Sequence, residues 1–174
     1  MDNSPIIRGR RDSVAVTGFS GMFNTGLPTS TGPVELTQIH TIYGAEKMAV
    51  GENHTLMIDR QRRLYGTGNN KYRQAASRPA SMIQGFELSA DAILWKDIAC
   101  GTNHSLGLDK DGLLYAWGQG LYGQLGTGAA VGQIPVPTPT GPPHKVWKAV
   151  YAFDNASYAV DADGNAYAWG QNMY

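Results

Sequence analysis

The chain has 174 residues, of which 42% are hydrophobic, and its 14 Lys and Arg residues balance its 14 Asp and Glu residues. This length allows one domain with a real core, and the apolar share excludes wholesale disorder. The single cysteine excludes a disulfide framework within one chain, and no apolar run approaches the roughly 20 residues of a membrane helix. The N-terminus lacks the apolar core of a secretion signal. We therefore expect an intracellular or virion-associated protein that does not insert into a membrane.

The charge is unevenly distributed along the chain. Residues 1–80 hold ten Lys and Arg against six Asp and Glu, which gives +4, and residues 81–174 hold four against eight, which gives −4. Scattered solvated side chains, an anionic partner or a head-to-tail contact between copies of the chain would each explain this pattern. Apart from Tyr72, aromatic residues do not alternate with these cations and the overall charge is balanced, which argues against nucleic acid as a partner. The candidate basic contact surface consists of Arg60, Arg62, Arg63, Lys71 and Arg73.

The chain repeats itself with a period of about fifty residues, which is typical of propellers and solenoids. Aspartates and glycines spaced by 50 and then 52 residues mark the repeat: Asp59, Asp109, Asp161, Gly68, Gly118 and Gly170. The spacing predicts an N-terminal tail over residues 1–11 and one repeat domain over residues 12–174. The predicted parts of that domain are a half repeat (12–46), two full repeats (47–95 and 96–147) and a second half repeat (148–174).

The predicted elements, taken in chain order, are all strands. Val14 and Val16 lie 50 residues ahead of the segment 64–68 and predict a strand in the opening half repeat. In the full repeats, a short apolar strand is followed by an alternating strand, such as residues 104–109, and then by a return strand. The Asp-Gly pair that ends at Gly112 separates two such strands and is a strong hairpin signal, because glycine tolerates positive φ.

The later elements are also non-helical. Residues 118–128 are too rich in glycine for a stable helix. The proline-rich stretch 134–143 is compatible with an edge strand or a surface loop but not with a central strand. A second Asp-Gly turn, which ends at Gly164, precedes a return strand that contains Tyr167 and Trp169. The expected fold class is therefore all-β.

Residues 98–128 closely resemble the repeat of the regulator of chromosome condensation family. The repeat that begins at Lys47 keeps the Asn-His-Thr-Leu and Leu-Tyr-Gly-Thr-Gly segments but has Thr67 in place of the tryptophan. The last unit keeps Tyr-Ala-Trp-Gly, but Phe153 replaces a glycine and Ala156 replaces the histidine. The resemblance extends over about residues 12–174 and implies a β-propeller of four-stranded blades, usually seven in that family.

The repeat count predicts only part of such a ring. Half a unit, two units and half a unit make about three four-stranded blades, whereas propellers typically have 4–8 blades, so two sheet edges would stay open. We expect a partial β-propeller that is completed by self-association or by a partner. The candidate blade-completion edges are Val14, Val16, Tyr167 and Trp169.

The sequence offers no convincing chemical site. His54 and His104 share a repeat position, but neighbouring blades would hold them far apart and Ala156 takes that position in the last unit, so we predict hydrogen-bonding structural histidines rather than metal ligands. Cys100 reads as a small buried apolar residue. No nucleophile with a nearby base and no phosphate-binding loop stand out. We expect no enzyme, no cofactor and no catalytic or metal-binding residues.

Three functions are compatible with these observations. The leading hypothesis is a non-enzymatic protein–protein interaction or structural assembly module that binds other protein subunits and copies of itself, for instance as a component of a virion. The first alternative is nucleotide exchange on a small GTPase, as the family resemblance implies, although no segment matches the wedge that exchange requires. The second alternative is a propeller-type inhibitor or binder of an enzyme. The charge asymmetry predicts that self-association weakens above about 0.5 M salt.

Overall fold

The computed structural model describes residues 13–19, 33–75, 78–89 and 91–172. Over these ranges the chain forms strands joined by turns and loops and contains no helix, which confirms the all-β prediction. It follows that no helix of the described part has the length and apolar character to cross a membrane. The strands are β1 (Ser13–Phe19), β2 (Pro33–Tyr43), β3 (Ala45–Val50), β4 (His54–Asp59), β5 (Leu64–Asn69), β6 (Met82–Leu88), β7 (Trp95–Cys100), β8 (His104–Asp109), β9 (Leu114–Gly120), β10 (Val131–Pro139), β11 (Trp147–Phe153), β12 (Ala156–Asp161) and β13 (Ala166–Gly170).

The strands form four separate sheets, and within each sheet every strand pairs antiparallel with its neighbour in the chain. The N-terminal pair consists of β1 and β2. Sheet 1 consists of β3 to β6, sheet 2 of β7 to β10 and sheet 3 of β11 to β13. The proline-rich β10 is the outermost strand of sheet 2, as its composition predicted. The sheets form an open sector of a β-propeller rather than a closed ring.

The tight hairpins follow from the turn chemistry. Gly112 and Gly164 have φ values of 84° and 91°, which the Asp-Gly pairs predicted. In sheet 2, the Asp109 carboxylate accepts hydrogen bonds from the backbone N–H groups of Asp111 and Leu113, both at 2.9 Å. The Asp109 carboxylate therefore has a structural role: it stabilises the hairpin turn by accepting these backbone hydrogen bonds. In sheet 1, Arg62 adopts a φ of 63° at this turn without a glycine.

The register of the N-terminal pair matches that of the third and fourth strands of the other sheets. In each pair the repeat glycine of the third strand lies opposite a β-branched residue of the fourth strand, and the ladder shifts next to that glycine. The pairs are Gly18 with Val34, Gly68 with Ile83, and Gly118 with Ile134. Sheet 3 has the first three strands of a unit.

The hydrophobic core lies between the sheets. We call the side of a sheet that is turned toward the next sheet in the chain its exit face, and the opposite side its entry face. The exit face of sheet 1 packs on the entry face of sheet 2 through Leu56, Ile58, Leu64, Trp95, Ile98, Cys100 and Trp117. The exit face of sheet 2 packs on sheet 3 through Ala99, Leu106, Leu108, Leu114, Ala116, Trp147, Val150 and Ala159. Each interface is thus built from the exit face of one unit and the entry face of the next.

Candidate protein-docking face

A buried chain of hydrogen bonds crosses the interface between sheets 1 and 2. The Ser105 hydroxyl donates to the Gln74 carbonyl oxygen (2.9 Å), so its oxygen accepts the bond from His54 Nε2 (2.8 Å). Trp117 Nε1 donates to the same carbonyl (2.9 Å). All of these polar atoms are removed from water, and the bonds satisfy groups that would otherwise be costly to bury. The predicted hydrogen-bonding role of His54 is confirmed.

The same arrangement recurs between sheets 2 and 3. His104 Nε2 bonds Ser157 Oγ (2.9 Å), and the hydroxyl donates to the Gln124 carbonyl (2.7 Å), to which Trp169 Nε1 also donates (2.8 Å). Burial lowers the pKa of His104 to about 4 and that of His54 to about 3, with a further lowering of His54 by the charge of His104. Both rings are therefore neutral near pH 7 and donate from Nε2.

The exit face of sheet 3 departs from this pattern. Ala156 takes the position of His54 and His104, so sheet 3 has no histidine for a further inter-sheet contact. Tyr158 occupies the position of Leu56 and Leu106, as the strand registers show. The two leucines are fully buried, whereas Tyr158 is 43% exposed.

Two further aromatic side chains extend this exposed face. Tyr151 lies directly opposite Tyr158 in the ladder and is 58% exposed, and Phe153 lies opposite Ala156 and is 78% exposed. We call Tyr151, Phe153 and Tyr158 the aromatic exit face. Single exposed apolar side chains are ordinary on protein surfaces, but a contiguous aromatic group that includes a position where the other sheets bury a leucine indicates a contact surface.

Phe153 also prevents another sheet from stacking in the usual way. Its counterparts are Gly51 and Gly101, each of which lies against the backbone of the next sheet. A Cβ on Gly101 would lie 2.6 Å from the Asp154 carbonyl oxygen, and one on Gly51 would overlap the Gly101 carbonyl oxygen. A phenylalanine at this position occupies the space that the backbone of a following sheet would need. The aromatic exit face therefore fits a surface of different shape.

The four predicted blade-completion residues lie on strands with one paired edge each within the described part of the chain. Val14 and Val16 are on β1, which pairs with β2. Tyr167 and Trp169 are on β13, which pairs with β12. Both aromatic side chains point toward sheet 2, since Trp169 bonds Gln124, so only the backbone of β13 is presented at the edge. Completion of these edges by another chain stays a prediction.

The predicted basic surface is split in two. Arg60, Arg62 and Arg63 lie in the hairpin before β5, and Lys71 and Arg73 follow its other end. A six-residue strand separates the groups by roughly 20 Å. Arg63 is also engaged by Asp59 (2.7 Å). The structure thus contains two basic patches rather than one surface, and a contact with a partner at either patch stays a prediction.

Cys100 is a buried apolar residue, as the sequence predicted. It is 6% exposed, its thiol lies 3.3 Å from the Ala49 carbonyl oxygen, and burial raises its pKa to about 12. A thiol with such a pKa is a poor nucleophile. Among the described residues, no group of three His, Cys, Asp or Glu side chains could hold a metal ion.

The sheets and the aromatic exit face define a class of protein: an open propeller sector, built from repeats, with an exposed aromatic face in the part that the structure describes. Two family profiles, both described as the regulator of chromosome condensation (RCC1) repeat, match this chain. One matches residues 46–74 and 95–124 and the other residues 111–152, which together span half of the chain. The chain belongs to the RCC1 repeat family.

Solved structures share the fold. Human WBSCR16 is 19% identical with a TM-score of 0.81 over 92% of this chain and 44% of its own. Yeast RCC1 (Prp20), solved with Kap60, is 22% identical with a TM-score of 0.79 over 91% of this chain and 40% of its own. A second structure of Prp20p from Saccharomyces cerevisiae is 24% identical, with a TM-score of 0.78 over 91% and 41%. The chain thus spans less than half the length of these structures. No curated protein matches the sequence.

Proposed function

We propose that this chain is a non-enzymatic docking and assembly module that binds other protein subunits, including copies of itself, through the aromatic exit face. The observation that carries the proposal is the contiguous exposure of Tyr151, Phe153 and Tyr158, with Tyr158 at the position where sheets 1 and 2 bury Leu56 and Leu106 against a neighbour. Tyrosine and phenylalanine are enriched in protein interfaces, since their rings bury a large area and lose little conformational entropy.

The charge distribution supports self-association in a head-to-tail sense. The half of the chain with the basic excess and the half with the acidic excess would attract each other across two copies. Incorporation into a larger particle, for instance a virion, is the most specific form of this proposal, and an intracellular or virion location accompanies it. An aromatic face that suits permanent burial by other subunits supports it.

The test is the absolute mass of the purified chain, measured by light scattering over a concentration series. We expect a discrete oligomer whose dissociation constant rises at least about tenfold when Tyr151 and Tyr158 are both replaced by serine. Leu121→Ser is the matched control, because Leu121 is 53% exposed but lies outside the aromatic exit face. A chain that stays monomeric at about 100 μM, or an oligomer that is equally weakened by both variants, would overturn the self-association proposal.

Nucleotide exchange on a small GTPase is the alternative function, and the fold supports it through structures of Prp20p, one of which concerns binding to Gsp1p and histones. The measurement is the release of labelled nucleotide from a small GTPase in the presence of this chain. Acceleration would favour exchange over a pure docking role. Binding without acceleration would favour docking, and it would also suit the second alternative, a propeller that binds or inhibits an enzyme.

A further inference from the structure

A cavity of about 230 Å³ lies between sheets 2 and 3, away from the aromatic exit face. Its walls are mainly aromatic and apolar, from Leu114, Pro142, Trp147, Tyr167 and Trp169. The three residues of β13 that line the cavity, 167–169, belong to the strand edge that carries no neighbour in the described part of the chain. A segment that enters the cavity would therefore pass a row of backbone groups able to pair with it.

One polar atom in the wall of this cavity lacks a partner. Trp147 is 2% exposed, and its Nε1–H group has no hydrogen-bond acceptor among the described residues. This N–H lies beside Gly141, another lining residue, since a Cβ on Gly141 would stand 3.9 Å from Nε1. A buried donor without an acceptor is unfavourable, so an acceptor brought into the cavity removes the cost of leaving this N–H group unpaired.

The preceding interface shows what the missing acceptor is. Trp95 has the position of Trp147 in sheet 2, and its Nε1 donates to the Asp91 carboxylate at 3.0 Å. The same carboxylate accepts bonds from the Ser89 hydroxyl and from the Ile93 backbone N–H. Asp91 lies four residues before Trp95, and four residues before Trp147 stands Pro143, which has no side-chain acceptor.

We propose that this cavity binds a carboxylate carried by an extended peptide segment of a protein partner, with Trp147 Nε1 as its donor. The carboxylate takes the place that Asp91 has in the preceding interface, while the flanking backbone of the peptide pairs with the open edge of β13. The inference deepens the proposed docking function and rests on it, because it supplies the chemistry of the partner.

The surroundings of the cavity suit an anionic group with an apolar neighbour. The Lys145 ammonium lies 5.7 Å from the ring centre of Trp147 and 4.7 Å from that of Tyr167, two of the lining side chains. It also bonds Asp161 (2.8 Å) and the Tyr167 hydroxyl (2.8 Å), so its position is fixed. Because Asp161 already pairs with this ammonium, the preference for a carboxylate comes from the Trp147 N–H donor and from the bond of Trp95 to Asp91, while the rings favour an apolar residue next to it.

The experiment uses the full chain labelled with ¹⁵N and the peptide acetyl-Ser-Ala-Asp-Ala-Ile-amide, which copies residues 89–93. The chain has four tryptophans, and Trp147→Phe assigns the indole resonance of interest. We expect a downfield shift of the Trp147 indole proton that saturates with a Kd of about 0.1 to 1 mM, with the Trp95 resonance unmoved. The same peptide with Asn in place of Asp should bind at least about tenfold more weakly. A third peptide, acetyl-Ser-Ala-Ala with a free C-terminus, separates a side-chain carboxylate from a terminal one.

A variant of the chain tests the same point without added peptide. Pro143→Asp restores a carboxylate at the spacing of Asp91, and it should shift the Trp147 indole resonance and weaken peptide binding at least about tenfold. Pro142→Asp, with the wrong spacing, is the matched control and should do neither. A Trp147 resonance that neither carboxylate peptide nor Pro143→Asp moves, in a spectrum that is otherwise native, would overturn the inference.

The proposals on peptide binding and on self-association can be refuted independently of each other. The cavity lies on the entry side of sheet 3, whereas Tyr151, Phe153 and Tyr158 lie on its exit face. An oligomer that depends on the aromatic exit face while no carboxylate peptide binds would refute only the cavity proposal. Peptide binding by a monomeric chain would refute only self-association. Weaker self-association in Pro143→Asp would show that a second copy supplies the carboxylate.

Discussion

The two faces of sheet 3 differ in how closely they follow the repeat. Its entry face keeps the serine and the tryptophan that bond the Gln124 carbonyl, as Ser105 and Trp117 bond Gln74 in sheet 2. Its exit face replaces a glycine, a histidine and a leucine of the repeat by Phe153, Ala156 and Tyr158. The repeat is therefore maintained only where a second sheet lies against it. Each interface combines the exit face of one sheet with the entry face of the next. A unit can therefore keep the repeat residues on one face and lose them on the other, as sheet 3 does.

The largest expected contrast is between the effects on stability of two substitutions at the same repeat position, one in sheet 2 and one in sheet 3. Leu106→Ala should lower the free energy of unfolding by about 2–5 kcal/mol, because it opens a cavity between sheets 2 and 3. Tyr158→Ala should lower it by less than about 1 kcal/mol, since Tyr158 is 43% exposed in the free chain. Urea unfolding measures both. Equal losses would mean that the exit face of sheet 3 is packed within the chain and is not available for docking.

The buried histidines predict a loss of stability in mild acid. Their folded pKa values, about 3 for His54 and about 4 for His104, lie below the ordinary value of 6.5, so the unfolded chain binds protons first as the pH falls. Stability is then complete above pH 6.5 and declines toward pH 4, by about 2 kcal/mol for each histidine between pH 7 and pH 5. Sheet 3 has Ala156 at this repeat position, so it contributes no buried histidine to the loss of stability in acid.

The measurement is the free energy of unfolding at pH 7, 6 and 5. His104→Gln is the comparison, since it removes one of the two buried titrating rings and should reduce the slope by about half. An unchanged slope in this variant would show that other groups cause the acid effect and that His104 does not stay neutral in the folded chain.

Much of the fold could be predicted from the sequence because its signals are local and repeated. The Asp-Gly turns, the alternating strands and the period of about fifty residues each indicate the same sheets, and the departures at Phe153 and Ala156 are visible in an alignment of the repeats. The sequence did not show the structural consequence of these departures. Only the strand register shows that Tyr151 and Tyr158 join Phe153 on one face, and these three side chains are exposed in the described part of the chain.

The contacts between sheets could not be read from the sequence, because they join residues about thirty to fifty positions apart with no local signature. The bond from Ser105 to Gln74 is one example. The unpaired N–H of Trp147 escaped prediction for a different reason: it becomes noticeable only by comparison with the bond of Trp95 to Asp91, which only the structure shows. The separation of the basic residues into two patches was likewise not visible in the sequence, because it depends on β5 running between them.

The smallest expected effect tests how the two donors share one carbonyl. Trp117→Phe removes one of the two bonds to the Gln74 oxygen, and Ser105 continues to satisfy it, so the loss should be about 0.5–1.5 kcal/mol. Trp169→Phe should have a smaller effect, because Trp169 lies beside the open edge of β13 and is only partly buried.

A double-mutant cycle with Ser105→Ala sharpens this test. Ser105→Ala alone leaves Trp117 as the donor to Gln74, but the double variant leaves a buried carbonyl without any donor. The loss in the double variant should therefore exceed the sum of the single losses by about 1 kcal/mol or more. Additive losses would show that the carbonyl finds another donor once both are removed, and that the repeated arrangement contributes to the interface only through its packing.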